Sequence, residues 1–431
     1  MPKSLRHLPI DQIKRAGFAT FLRLLATSLS LSFSIFGAQL LGAKFFGEYV
    51  SFFAVAGLLT VATSIGLPAL LQREISASRG SGDRHSLPPL AQGLLLLNGI
   101  LLVSLGGAIF THNHSLSIII AFCLAGNAAG VFASIYSAHE KVILASLIND
   151  VVRPASALLA LFALSLISTP SSALPMYAQI IGTSTAIVTF FLLWQGEPLT
   201  KGLSFLRSDW WSERHLSMLR TGWIFASTQF LINLTTQIDV LILTALTSPE
   251  DVAHYYAAAR AALVINFFYG ASGLVAEPLL TRLYAAGDKQ EFQKNTTRTA
   301  YAGAIVTIIA AIASIFVAPF YLNLYGPDFS NALPAYCVVV LGLALRSLFG
   351  PTIPLLRATR SDGTLLLITA VVIAINAALS ISLVPHIGIL GAAIGSGVQF
   401  SIYGLILGIA LWRQTSIRPD VFILARSNQS N

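Results

Sequence analysis

Polar residues along this chain fall in short clusters, and between them run apolar stretches of about 20 residues, the length at which a helix crosses a bilayer core roughly 30 Å thick. Twelve stretches are predicted as helices: 17–42, 47–71, 90–111, 115–138, 154–169, 173–195, 221–247, 252–280, 299–320, 332–356, 364–384 and 388–412. The fifth is short as drawn and can start earlier, in the apolar stretch after Lys141. No strand-like alternation suggests a barrel, and no connection is long enough for a soluble domain. The opening MPKSLRHLPIDQIKRAG imitates a signal peptide. Its apolar run is too long for one, and a second span begins at Gly47 without an obvious cleavage site, so it reads as an uncleaved first helix.

Composition narrows the class. Of 431 residues, 55% are hydrophobic and 10% charged, with a mean hydropathy of +0.75; a soluble domain carries about 25% charged residues. Two cysteines rule out a disulfide scaffold and a Cys-rich zinc module; Cys123 and Cys337 are read as packing thiols. The expected class is an all-α polytopic membrane protein.

Lysine and arginine orient it. With a cytoplasmic N-terminus, 22 of the 26 basic residues fall in inside segments, Lys44 alone lies outside, and Arg23, Arg260 and Arg346 lie within spans. One missed helix would invert every later loop, so the bias supports the span count. Trp194, Trp223 and Trp412 at inner helix ends, with Trp210 and Trp211 in an inside loop, form one side of an aromatic belt. The net charge of +8 is therefore a topology signal beside anionic membrane lipid, and nucleic-acid binding is not implied.

The longest inside connection, GEPLTKGLSFLRSDWWSERHLSMLR, divides the spans six and six. An N-terminal half at 1–200, a cytoplasmic connecting loop at 201–220 and a C-terminal half at 221–431 follow. Six crossings return the chain to its starting face, so the halves are expected as two parallel pseudo-repeat bundles around a central cavity. Gly47-Glu48-Tyr49 opening the second span matches Ala253-His254-Tyr255 opening the eighth, and Pro68 with Arg73 matches Pro278 with Arg282. Repeats of this kind suit transport by alternating access.

Four stretches carry a family likeness: the seventh span with its QID, LYGPDFSNALPAYC and NAALSISLVPHIGILGAAIGSGVQF in the second half, and LLGAKFFGEYVSFFAVAGLLTVATSIGLPALLQREIS in the first. Together they resemble the polysaccharide-exporter, O-antigen-flippase-like branch of the multidrug/oligosaccharidyl-lipid/polysaccharide flippase superfamily. The resemblance covers nearly the whole chain. It implies twelve helices in a bacterial inner membrane, both termini cytoplasmic. It also implies movement of a polyprenyl-diphosphate-linked oligosaccharide, of the undecaprenyl type, to the periplasmic leaflet through a cavity lined by helices one, two, seven and eight. Polysaccharide polymerase or export proteins are the implied partners. The final helix pair of relatives that flip the peptidoglycan precursor is absent, which disfavours a lipid-II-type substrate.

A charge at bilayer depth costs about 2.5–3.5 kcal/mol on insertion scales, so each one needs a reason. Asp239 and Arg260 lie equally far from the turn Thr247-Ser248-Pro249-Glu250. They are expected at one depth, either as a neutralising pair or as a gate released by an anion. Arg23 either snorkels to the inner headgroups or grips a diphosphate with its guanidinium fork; the resemblance places arginines of helices one and eight in the cavity and favours diphosphate binding for Arg23 and Arg260. Arg346 is expected to have a structural partner. Gln229, Asn233 and Gln237, spaced by four, share one helix face that suits sugar, and Gln39 and Asn266 are further polar cavity candidates; Asn376 and other amides are expected to join helices.

No G-x-x-x-x-G-K-[ST] is present, so nucleotide hydrolysis by this chain is not expected, nor is a metal or organic cofactor. Transport then runs downhill or couples to an ion, H+ or Na+, or to the membrane potential. The competing readings are an ion-coupled multidrug or cation exporter of the same superfamily and, less favoured by the short outside loops, a membrane glycosyltransferase, polymerase or ligase.

Overall fold

In a computed structural model the described residues are 10–64, 114–139, 141–193, 227–286, 289–358 and 362–421, with single positions at 66, 68 and 72. The third span and the long central connection lie outside them. Within them the chain is all-α. Eight helices are long and apolar enough to cross a membrane, and one further bent pair passes the same test together. A bilayer leaves an unpaired peptide group nothing to bond, so backbone satisfied within each helix is the solution such a sequence must adopt.

Helix α1 runs Ile10–Ser64 and carries the first two spans. The expected turn between them is a kink at Gly42, whose φ of 72° is open to glycine at little cost. Then come α2 (His114–Ala138), α3 (Val142–Ser146), a π-helical turn (Leu147–Val152), α4 (Arg153–Ile167) and α5 (Leu174–Leu192). The fifth span therefore begins near residue 142, twelve residues before the sequence limit of 154. Pro154 is accommodated because the wider turn before it removes the need for a regular helical bond at that point. Arg153, assigned from the sequence to an inside loop, is part of this helical run.

The seventh span is broken into α6 (Ser227–Leu234) and α7 (Ile238–Leu246), which meet at 58°. Next are α8 (Pro249–Ala285), α9 (Lys289–Asn323), a 3-10 turn (Pro327–Ala332), α10 (Leu333–Ser347), α11 (Thr352–Ala358), α12 (Asp362–Ile387) and α13 (Ile389–Thr415). Helix α8 starts with full capping chemistry. Ser248 Oγ accepts from the Asp251 amide at 3.3 Å, Pro249 needs no partner for its nitrogen, and Glu250 and Asp251 face the positive end of the dipole.

The chain clusters into two compact units, Met1–Leu41 with Phe52–Asn233, and Gly42–Ser51 with Leu234–Asn431. In the first, α5 packs on α2 and α4. Gly182 lies directly against the Arg153 carbonyl and Ala157, Gly126 against Thr60, and Phe132 stacks on Phe190. In the second, α13 packs along α12 and α10, and α9 along α8. Gly391 fits against Leu383 and Val384, and Gly342 against Gly397, the close backbone approach that small residues permit where no hydrophobic force drives helices together. Outward-pointing Leu166, Ile167, Phe316 and Leu367 remain exposed, as a lipid-facing surface requires.

Candidate functional site: two polar centres in the second unit

Both centres are built in the second unit. The first forms at the break in the seventh span. Residues 235–237 leave the helix, and unwound backbone at this depth survives only where protein covers it. Gln399 of α13 supplies the cover, its Nε2 donating to the Thr235 carbonyl at 3.0 Å. Asp239, in the first turn of α7 and 6% exposed, then places a carboxylate at the positive end of a half-helix.

Three donors meet that carboxylate. The Val240 amide reaches Oδ1 at 2.8 Å, and Ser396 Oγ reaches Oδ2 at 2.8 Å, where the Tyr255 hydroxyl also donates. The network continues outward. Asn376 Nδ2 donates to Gln399 Oε1 at 2.6 Å, and Ser380 Oγ donates to Asn376 Oδ1 at 2.8 Å. One carboxylate thus sits among hydroxyl, amide and carbonyl oxygens from four helices, with no ion-paired cation among the described residues. Its chemistry suits a proton or a small monovalent cation.

The second centre surrounds Arg260 of α8. Its guanidinium lies over the Tyr256 ring, 4.9 Å from the centroid, and pairs with no carboxylate among the described residues. Phe46 is fully buried against Tyr49, Tyr256 and Tyr325, with centroids 5.9, 6.0 and 6.2 Å away. Tyr321 and Tyr325 join hydroxyls at 2.8 Å. Gly47 allows this arrangement, since a side chain there would run into the Pro249 carbonyl. Segment Gly42–Ser51, first-half by sequence order, therefore packs with the second unit. A tyrosine-flanked guanidinium with no carboxylate partner among the described residues has the chemistry to answer an anion.

The expected contact between Asp239 and Arg260 is not formed. Chain reversal pivots on Thr247, extended at φ −134°, so Tyr255 is the residue across from Asp239. Arg260 lies five residues further along α8, about 7.5 Å deeper and about 140° around the helix. Each charge instead has its own surroundings. Arg346, expected to have a structural partner, lies between the rings of Tyr269 and Tyr403.

The amide stripe is also altered. Asn233 Nδ2 bonds back to the Gln229 carbonyl at 2.9 Å, and Gln237 sits in the break, so the single face stops at Asn233. Gln229 and Gln39 are exposed and Asn266 is half-buried. Arg23 belongs to α1 by its backbone; its side chain lies outside the described residues. Ser380, Ser396 and Gln399 were not singled out from the sequence. The signal for them existed, because Asn376 and Ser396 are equidistant from residue 386, next to the Gly388 turn of the last hairpin.

Comparison with known proteins agrees with this architecture. The chain is 23% identical over 93% of its length, and 83% of the relative's, to the uncharacterized membrane protein EpsK of Bacillus subtilis (strain 168). Its fold matches an inward-facing multidrug resistance MATE family transporter of the MOP superfamily (TM-score 0.70, 14% identity, 92% of this chain and 94% of that one). It also matches the lipid II flippase MurJ in an inward closed conformation (TM-score 0.67, 16% identity, 91% and 87%). The MatE family profile matches residues 225–385. The profile described as polysaccharide biosynthesis protein matches residues 13–284, well over half the chain, and to that family the chain, a multi-pass membrane protein, belongs.

Proposed function

We propose that this protein flips a polyprenyl-diphosphate-linked oligosaccharide from the cytoplasmic to the periplasmic leaflet of a bacterial inner membrane, with both termini cytoplasmic and two six-helix halves alternating access. The observation that carries the reading is Arg260, a guanidinium at membrane depth stacked on Tyr256 and without a carboxylate partner among the described residues. A diphosphate answers such a group with a bidentate, charge-assisted contact, which neither a neutral sugar nor a cationic drug offers. Arg23 is the second proposed diphosphate contact. Gln229, Asn233, Gln237, Gln39 and Asn266 are proposed to meet sugar hydroxyls. The Asp239 centre is proposed as the coupling site for H+ or Na+, because it supplies one negative charge and several neutral oxygens in a buried setting. The family description, polysaccharide biosynthesis, and the lipid II flippase among the fold neighbours support the lipid-linked substrate.

The test is direct. Arg260→Ala at wild-type expression should lower surface polysaccharide at least tenfold, with lipid-linked intermediate building up on the cytoplasmic leaflet. Undiminished polysaccharide would end the diphosphate assignment. The second reading, a multidrug exporter, draws on the MATE fold neighbours. It predicts protein-dependent dye efflux with surface glycan unchanged.

A further inference from the structure

A second break in this unit is the place to look. Helix α10 ends at Ser347 and α11 begins at Thr352, with Gly350 at φ 69° between them. The Gly350 carbonyl accepts from the Tyr269 hydroxyl and from the Thr352 amide, each at 2.8 Å. Tyr269 is one of the two rings enclosing Arg346, whose Cζ is 4.9 Å from its centroid and 5.2 Å from that of Tyr403. Thr296 of α9 lies between two neighbours of the same break. One turn after it, Ala300 packs on Gly350; one turn before it, Phe292 packs with Leu355 and Leu356. Residues 418–421 close the far side. Val421 donates its amide to the Leu348 carbonyl at 3.0 Å, Pro419 places its carbonyl against Gly350, and Gln293 holds both the amide and carbonyl of Arg418.

Three buried polar atoms at this break have no hydrogen-bond partner: Arg346 Nε, Thr296 Oγ1 and Thr352 Oγ1. Arg346 is 6% exposed and both threonines are fully buried. Helical threonines elsewhere in the unit bond to the carbonyl four residues back, as Thr299, Thr307 and Thr369 do; Thr296 does not, so its proton is available. All three groups can donate, and one belongs to a permanent cation with no carboxylate partner among the described residues. A charge this deep, flanked by two tyrosine rings but without a counter-charge among the described residues, is costly enough that proteins pair it. Buried donors without acceptors on the elements that meet at this break point to an occupant.

We propose that the break between α10 and α11 binds a small monovalent anion of halide size, held by Arg346, Thr296 and Thr352 as the counter-charge of that arginine. The two tyrosine rings and the fully buried threonines favour a small anion over a phosphate that carries a lipid chain.

The experiment is thermal unfolding of the purified full-length protein in detergent, at constant ionic strength, in sodium chloride, bromide or gluconate. Chloride at about ten times its dissociation constant favours the folded state about elevenfold, and the midpoint should rise by about 2–4 °C over gluconate. Bromide should act similarly. The near-isosteric double variant Thr296→Val/Thr352→Val keeps the packing and removes two donors, and its halide shift should vanish or fall by more than half. Arg346→Gln, if it folds, should lose the shift as well; if it does not fold, the threonine variant decides. Equal midpoints in all three salts for the wild type would leave water as the only occupant and overturn the proposal. An undiminished halide shift in the threonine variant would place the anion elsewhere and overturn it equally.

Discussion

Asp239 shows how much a single carboxylate organises when it is buried with donors and with no ion-paired cation among the described residues. Its oxygens accept from Tyr255, Ser396 and the Val240 amide. Removal by Asp239→Ala would take the acceptor from two hydroxyls and leave them, 3.1 Å apart, only each other to donate to, at a cost of about 1–3 kcal/mol. Asp239→Asn is gentler, since the hydroxyls can rotate and the amide retains one acceptor oxygen. A double-mutant cycle between Asp239→Asn and Tyr255→Phe should therefore give a coupling energy of about 1–3 kcal/mol in unfolding, while Asp239→Asn with Arg260→Gln should give nearly none. Strong coupling in the second cycle would restore the ion pair that the sequence suggested. That both charges belong to one hairpin was legible there; their relative depth was not, since Tyr255 rather than Arg260 meets Asp239 and Arg260 lies about 7.5 Å deeper. Nor was azimuth, because a shift of the pivot by two to three residues, from the Pro249 region to Thr247, changes the facing residue from Arg260 to Tyr255.

Helix six–seven carries the same lesson for whole elements. Apolar length and the absence of an internal proline made 221–247 read as one helix, and nothing local in Thr235-Thr236-Gln237 forbids that. The break is stabilised from a distance, by Gln399 on the last hairpin, so hydropathy alone could not reveal it. Replacing Gln399 with Leu should remove the hydrogen bond to the Thr235 carbonyl, lower stability by about 1–3 kcal/mol, and speed hydrogen exchange of the amides at 238–240 at least tenfold. Unchanged exchange would mean the break holds itself. Gly47 gives the opposite case, an element contact dictated by one missing side chain. Gly47→Val must displace the Pro249 carbonyl, so it should loosen the Phe46–Tyr256–Tyr325 cluster and reduce transport; faster limited proteolysis of this segment would report it. Gly391 and Gly395, four residues apart, pack against Leu383, Val384 and Asn376, and such close helix packing leaves a spacing that survives in one dimension.

At the scale of the molecule, the sign of the transported charge separates the two functional readings. A bilayer potential contributes about 2.3 kcal/mol per elementary charge per 100 mV. A diphosphate head carrying two negative charges therefore moves outward from a negative cytoplasm with about 4.6 kcal/mol in its favour at 100 mV, and the loaded step needs no further drive. A cationic drug moving the same way opposes that field and must be driven by an incoming ion. Coupling at Asp239 would then serve different steps: resetting the empty protein in the first case, expelling the load in the second. In proteoliposomes of uniform orientation, an inside-negative potential set with potassium and valinomycin should speed outward flipping of a lipid-linked oligosaccharide, and reversing the potential should slow it. Asp239→Asn should keep single-turnover flipping close to wild type and lose the dependence of steady-state rate on a Na+ or H+ gradient. Outward movement that slows under the inside-negative potential would mean the load is cationic, and the tyrosine-flanked Arg260 would then have to be a structural charge.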